Sequence, residues 1–253
     1  MSRAASETDG GSSADLSARL SDRTRTRLAD CSTATLSTQL FKRGLRNQVL
    51  QGVSRLTSKS ATLVGEAFTL RNIPAREDID HVGIHQDPGH PQRKAIEITP
   101  AGCVLVIDCR GDARCASAGG ILVQRLSVRG VAGLVTDGGL RDTAEISAEP
   151  FPVYCKAPSA PISLTHQHAV DFNVPIACGG VAVYPGDVIV GDAEAVIVVP
   201  RHLAEEVAED AHAQEQLERF VMEEIRSGRP LPGTYPPNEA TRARFEEWKK
   251  KPR

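Results

Sequence analysis

Two apolar runs constrain this chain more than anything else in it. CVLVID, Cys103 to Asp108, and VAGLVT, Val131 to Thr136, are short and nearly free of polar residues. Runs of this length rich in β-branched residues read as strands buried on both faces, and such strands need a covering layer on each side. Between them, Ala113 to Arg129 reads as a helix, with small residues at its start and Leu122, Leu126 and Val128 within it. Strands and helices alternate through this middle section. Short β segments cluster later, at Pro152–Tyr154, Val181–Val183, Val188–Val190 and Val196–Val199, around the turn Pro185-Gly186-Asp187. The pattern predicts an α/β fold of layered sheets with peripheral helices.

Helices are expected on both flanks. Asp15 to Ala29 places Leu16, Leu20 and Leu28 at helical spacing, and Ser32-Thr33 caps a second helix through Leu36, Leu40 and Phe41 that ends near Gly44. Ala61 to Leu70 reads as a strand, and Arg76 to Arg93, with its prolines and glycines, as a loop. His202 to Arg226 is a long amphipathic helix whose Val207, Leu217, Phe220, Val221 and Ile225 suggest a subunit contact. The expected organisation is a frayed polar tail over 1–13, a main domain over 14–227 and a Pro-rich extension over 228–253 that ends in a basic helix.

Composition excludes several classes. A net charge of −2 lacks the basic excess of a nucleic-acid binder. At 4% aromatic residues, stacking platforms are not expected. No apolar run approaches the roughly 20 residues of a membrane span. The N-terminal MSRAASETDGGSSADLS lacks the apolar core of a secretory signal, so a cytoplasmic location is expected. The six cysteines form no CxxC pair and read as reduced, mostly buried thiols. His81, His85 and His90 match neither HExxH nor a zinc-ribbon spacing, and His166 and His168 read as surface residues. GxSxG and GxxxxGK[ST] are absent.

The segment TDGGLRD, Thr136 to Asp142, is the sharpest chemical feature. It follows a buried strand, and its two glycines would let the backbone approach a ligand. Arg141 offers a planar fork for a carboxylate, and Asp142 offers hard oxygens for Mg²⁺ or Mn²⁺. A solvated turn with an incidental ion pair is the plainer reading of the same residues.

The stretch from Gly102 through TDGGLRD, with FPVY and GGVAVYPGDVIVGDAEAVIVVP, resembles the RraA-like family over residues 30–210. That family includes the regulator of ribonuclease activity A and metal-dependent 4-hydroxy-4-methyl-2-oxoglutarate aldolases. The resemblance implies a swivelling β/β/α-type layered sandwich with peripheral N- and C-terminal helices, and homotrimers or hexamers with sites between subunits. It implies that Arg141 binds a pyruvyl carboxylate and that Asp142 binds the divalent cation. Gly119 and Gly120 would lead into backbone amides at Ile121 and Leu122 that hold substrate oxygens. Arg141 and Asp142 are the expected catalytic pair. The sequence departs from the active aldolases at Gly120, where they carry an aspartate; Asp112, or Glu215 or Glu218 of a neighbouring subunit, are candidate replacements.

The expected function is class II cleavage of a 4-hydroxy-2-oxo acid to pyruvate and a carbonyl product. The alternatives are oxaloacetate decarboxylation on the same site, or a non-catalytic regulator that binds a ribonuclease or helicase. The expected partners are a small 2-oxo acid and further copies of the chain, with no membrane and no direct nucleic-acid contact.

Overall fold

A computed structural model describes residues 19–250. The expectation for residues 1–13, and the part of the first helix that includes Leu16, lie outside the described residues. The chain is mixed α/β. Its main sheet holds β1 (Ser54–Arg55), β2 (Leu63–Pro74), β3 (Val104–Asp108), β5 (Gly133–Thr136), β7 (Val153–Cys155), β9 (Gln167–Phe172), β12 (Val188–Gly191) and β13 (Val196–Val199). The order is β1-β7-β5-β3-β2-β12-β13, with β9 also paired to β2. The strand β2 is shared among three partners. Its start pairs antiparallel with β12, Ala67–Arg71 run parallel to β3, and Leu70–Pro74 pair antiparallel with β9, with a bulge at Arg71/Asn72.

Both faces of the central strands are covered, as the apolar runs require. Successive side chains of a strand point to opposite faces. Leu105 and Ile107 accordingly join Phe68, Leu70 and Leu134 in one core, beneath α3 (Pro91–Ile98) and α4 (Gly120–Val128). Val104 and Val106 join Ala67, Val135 and Tyr154 in a second core, closed by the hairpin of β10 (Ile176–Cys178) and β11 (Val181–Val183). A third core lies between β12–β13 and the helices α1 (Asp22–Ala29), α2 (Thr33–Lys42) and α6 (Ala204–Arg226). Ser21 and Ser32 accept the N–H groups of Thr24 and Thr35, which fixes the starts of α1 and α2. All six cysteines are free and buried.

Three expectations need correction. The segment 113–129 is not one helix. Ala116–Ala118 form β4, which joins β6 (Gly139–Leu140) and β8 (Ala157–Pro158) in a separate three-stranded parallel sheet. Its small residues serve close strand packing, and the helix begins only after the extended Gly119. The segment 76–93 is not all loop, because Pro91 opens α3 and Val82–Gln86 form a 3₁₀ turn. The apolar stripe of α6 also packs within the chain: Val207 is buried in the third core, and Phe220 packs tilted against Phe245 and edge-on to Trp248 of α7 (Glu239–Lys249). His168 is no free surface residue, since its Nδ1 lies 2.6 Å from Asp80 Oδ1. Among the described residues, no helix is long and apolar enough to cross a membrane.

Candidate active site

The small parallel sheet builds the site at the carboxyl ends of β3 and β5, where open α/β sheets present loops to ligands. Asp137 organises the approach. Its buried carboxylate accepts the N–H groups of Cys109, Gly111 and Gly179. The two glycines of TDGGLRD answer to the chain rather than to a ligand, which corrects the expectation drawn from them. A Cβ on Gly138 would lie 2.5 Å from Cys109 Sγ, and one on Gly139 2.6 Å from Ser159 Cβ and 2.7 Å from the Cys115 carbonyl. Only glycine lets β6 lie this close to its neighbours.

The pairing of β6 with β4 carries one residue further. The Arg141 N–H donates to the Ala118 carbonyl at 3.2 Å, so Arg141 and Asp142 emerge beside Gly119 and the start of α4. Gly119 sits against both side chains. A Cβ there would stand 2.7 Å from Asp142 Oδ2 and 2.9 Å from Arg141 Nε. Asp142 sits in the left-handed region at φ 59°, a conformation Asp tolerates better than most residues. It is the N-cap residue of α5 (Thr143–Ala148), yet its side chain makes no capping bond to that helix. Instead Asp142 Oδ2 accepts the Gly120 N–H at 2.9 Å, with Arg141 Nε 3.7 Å away.

These residues rim a cavity of about 110 Å³ lined by Gly119, Ile121, Leu122, Arg141 and Asp142. Gly120 faces an adjoining groove with Glu145 and Glu149. The expected amides differ in availability. Leu122 N–H donates back to the Gly119 carbonyl at 3.0 Å, whereas Ile121 N–H has no partner among the described residues.

Four further polar residues of the lining, His85, Gln92, Arg93 and Ser163, were missed by sequence reasoning. Gln92 donates to the Ser117 carbonyl at 2.7 Å, tying α3 to β4. His85 stands edge-on to His90, ring centres 5.3 Å apart. Burial, then the Arg93 charge, push both imidazoles below their ordinary range. The available signal was Pro91, a residue favoured at a helix start, ahead of Ala95 and Ile96 at helical spacing.

The expected replacement acids lie elsewhere in this chain. Asp112 is held by Arg114 at 2.7 Å, which keeps its carboxyl well below the usual carboxylate range. Glu215 accepts from Ser32, and Glu218 accepts from Gln214. Glu145 comes nearer: its Oε2 is 3.5 Å from the point a Cβ on residue 120 would occupy. Among the described residues, no group of three or more His, Cys, Asp or Glu is placed to hold a metal. Among the described residues, Asp142 is the one carboxylate lining the cavity, and its Oδ1 makes no hydrogen bond.

The family model described as Aldolase/RraA, RraA-like, matches residues 29–198. The chain belongs to the Aldolase/RraA family. The segment that carries Arg141 and Asp142 lies within that match. The Aldolase/RraA relatives include a Thermus thermophilus protein named 4-hydroxy-4-methyl-2-oxoglutarate aldolase. It is 32% identical over 108 residues, 43% of this chain and 65% of that protein. A Halalkalibacterium halodurans protein, provisionally given the same name, is 40% identical over 119 residues, 47% of this chain and 56% of its own length. Both matches thus span less than two thirds of the relative.

Solved structures extend the likeness along the chain. Streptomyces coelicolor RraAS2, described as an unusual member of the RNase ES inhibitor RraA family, superposes with a TM-score of 0.72. It is 30% identical and covers 80% of this chain and 98% of its own. A Pseudomonas syringae protein gives a TM-score of 0.73 at 26% identity, covering 86% of this chain and 99% of its own.

Proposed function

We propose that this member of the family is a carbon–carbon lyase that cleaves a 4-hydroxy-2-oxo acid to pyruvate and a carbonyl product. The observation that carries the reading is the convergence of Arg141, Asp142 and the unpaired Ile121 N–H on one cavity. The Arg141 fork suits the carboxylate next to the oxo group, and the Ile121 amide suits one of its oxygens. The names of the aldolase relatives support the same class.

In this reading Asp142 holds a divalent cation, Mg²⁺ or Mn²⁺. A single carboxylate with a free oxygen fits a cation that keeps most of its water and takes further ligands from substrate. When bound there, the cation supplies Lewis-acid stabilisation of charge that develops on the substrate oxo group. Arg141 offsets part of the same charge through its fork. Cleavage also requires removal of the C4 hydroxyl proton. Gly120 has no side chain for this; of the two carboxylates beside that position Asp142 would hold the cation, so Glu145 takes the role here.

Decarboxylation of oxaloacetate is the second activity of the same reading. It forms the same enolate without a hydroxyl proton to remove, and the absence of a carboxylate at position 120 favours it. The reading includes the swivelling β/β/α arrangement and a homotrimer or hexamer. Ile121, 84% exposed beside the cavity, is an apolar side chain that a neighbouring copy would cover. A screen of 2-oxo acids for pyruvate release, with and without Mg²⁺ or Mn²⁺, tests the activity, and light scattering tests the assembly. No pyruvate from any 4-hydroxy-2-oxo acid or from oxaloacetate under either condition sinks the lyase reading, leaving a role as a binding protein. A monomer at micromolar concentration sinks the assembly.

A further inference from the structure

Arg93 lines the cavity opposite no partner of its own. It makes no ion pair among the described residues, and its Nε is buried without a hydrogen bond. Arg141, by contrast, has Asp142 at 3.7 Å. His85, in the same wall, has a buried and unpaired Nδ1, and His90 behind it, 5% exposed, has neither ring nitrogen bonded. Three adjacent side chains on one segment therefore hold polar atoms away from water with nothing to satisfy them.

Arg93 is half-buried, and an unbonded buried atom on a charged group is costly. Among the described residues no carboxylate pairs with Arg93; Asp142, in the same cavity, lies beside Arg141. An anion in the cavity would pair with Arg93, and a guanidinium presents the donors that a planar carboxylate accepts in pairs. The field of Arg93 is already felt locally, since after burial it is the next cause that lowers the affinity of both imidazoles for protons. A neutral imidazole can still donate one N–H to the same anion.

We propose that Arg93, aided by His85, is the specificity residue for a second carboxylate on the substrate, remote from the 2-oxo acid group that Arg141 binds. The proposal rests on the 2-oxo acid reading above and adds to it the residue that reads the distal carboxylate of a dicarboxylate substrate. Arg93 is assigned no part in bond cleavage.

The test compares 2-oxoglutarate with 2-oxoglutaramate, in which a neutral amide replaces the distal carboxylate. Pyruvate serves as the short probe. Binding to the full chain is measured by calorimetry in Mg²⁺ buffer, for wild type, Arg93→Gln and Arg93→Lys, with thermal melts to confirm folding. A charged hydrogen-bonded pair predicts that wild type prefers the dicarboxylate by roughly tenfold to a hundredfold. Arg93→Gln should bring the two ligands to near-equal affinity and leave pyruvate affinity unchanged. Arg93→Lys should narrow the ratio, because it keeps the charge and loses the fork; it serves alone if the Gln variant does not fold. No wild-type preference, or a preference that survives in the variant, overturns the proposal. Failure of pyruvate to bind wild type overturns the 2-oxo acid reading instead. The Arg93 assignment is then judged on succinate against succinamate, where the same discrimination is expected and its absence overturns it.

Discussion

Asp142 Oδ2 caps a helix to which Asp142 does not belong, accepting the N–H of Gly120 at the first turn of α4. The carboxylate is thereby held by a rigid element at the cavity mouth while its Oδ1 has no partner among the described residues. This double use separates two substitutions that would otherwise look alike. Asn keeps a capping oxygen and tolerates the left-handed backbone; Ala does neither. We expect Asp142→Asn to stay within about 0.5 kcal/mol of wild type and Asp142→Ala to lose about 1–3 kcal/mol. Both should lose pyruvate release. Urea melts and a coupled pyruvate assay check this, and normal turnover in the Asn variant would remove the charge from the mechanism.

Arg141 depends on shape as well as charge. Lys at this position keeps the cation and loses the bidentate fork. Arg141→Lys should lower kcat/KM by about tenfold or more, by the strength of a charged hydrogen bond. Equal kinetics for the two residues would mean that only a diffuse positive field is needed.

Gly119 and Gly120 should respond differently to Ala. A methyl on Gly119 collides with both Asp142 and Arg141, whereas on Gly120 the nearest contact is Asp142 Cβ at 3.4 Å. Displacing two site residues by about 1 Å is worth on the order of 10²-fold in rate. Gly119→Ala should therefore be nearly inactive yet folded, and Gly120→Ala close to wild type in stability. Similar activities in the two variants would show that the Gly119 contact does not position the pair.

Glu145 and position 120 can be tested together through the ratio of aldol cleavage to oxaloacetate decarboxylation. A positioned base is worth about 10²–10⁴-fold. Glu145→Gln should depress cleavage within that range and spare decarboxylation, while Gly120→Asp should raise the ratio. If Glu145→Gln lowers both activities equally, the residue supports the site's structure and does not move the hydroxyl proton.

The His90 imidazole predicts an acid-side loss of stability. Burial, then the charges of Arg93 and His168, lower its affinity for protons in the fold, against a weaker opposing pull from Asp87 and Asp80. The unfolded chain then takes up the proton first as pH falls through about 6.5. Stability should be full above that value and decline below it until the folded pKa is reached. His90→Leu should flatten the urea midpoint between pH 7 and pH 5, and an unchanged slope would assign it to other groups.

Periodicity and local chemistry determined much of the frame. The runs at Cys103–Asp108 and Val131–Thr136 could lie only inside a covered sheet, because so little polar surface leaves them no solvent face. Ser32 and the apolar spacing behind it placed α2, and adjacency alone placed Arg141 and Asp142 together. The rest depended on contacts between residues distant in the chain. Ala116–Ala118 became a strand because β6 lies alongside, a pairing that no local pattern of small residues records. The glycines of TDGGLRD matched a ligand-binding loop equally well in sequence; only their closeness to Cys109 and Ser159 assigns them to packing. Arg93 entered the cavity through the docking of α3 onto β4, nearly fifty residues from Arg141 in sequence. Side-chain convergence of that kind is a property of tertiary packing, since it sums pairings each of which looks ordinary along the chain.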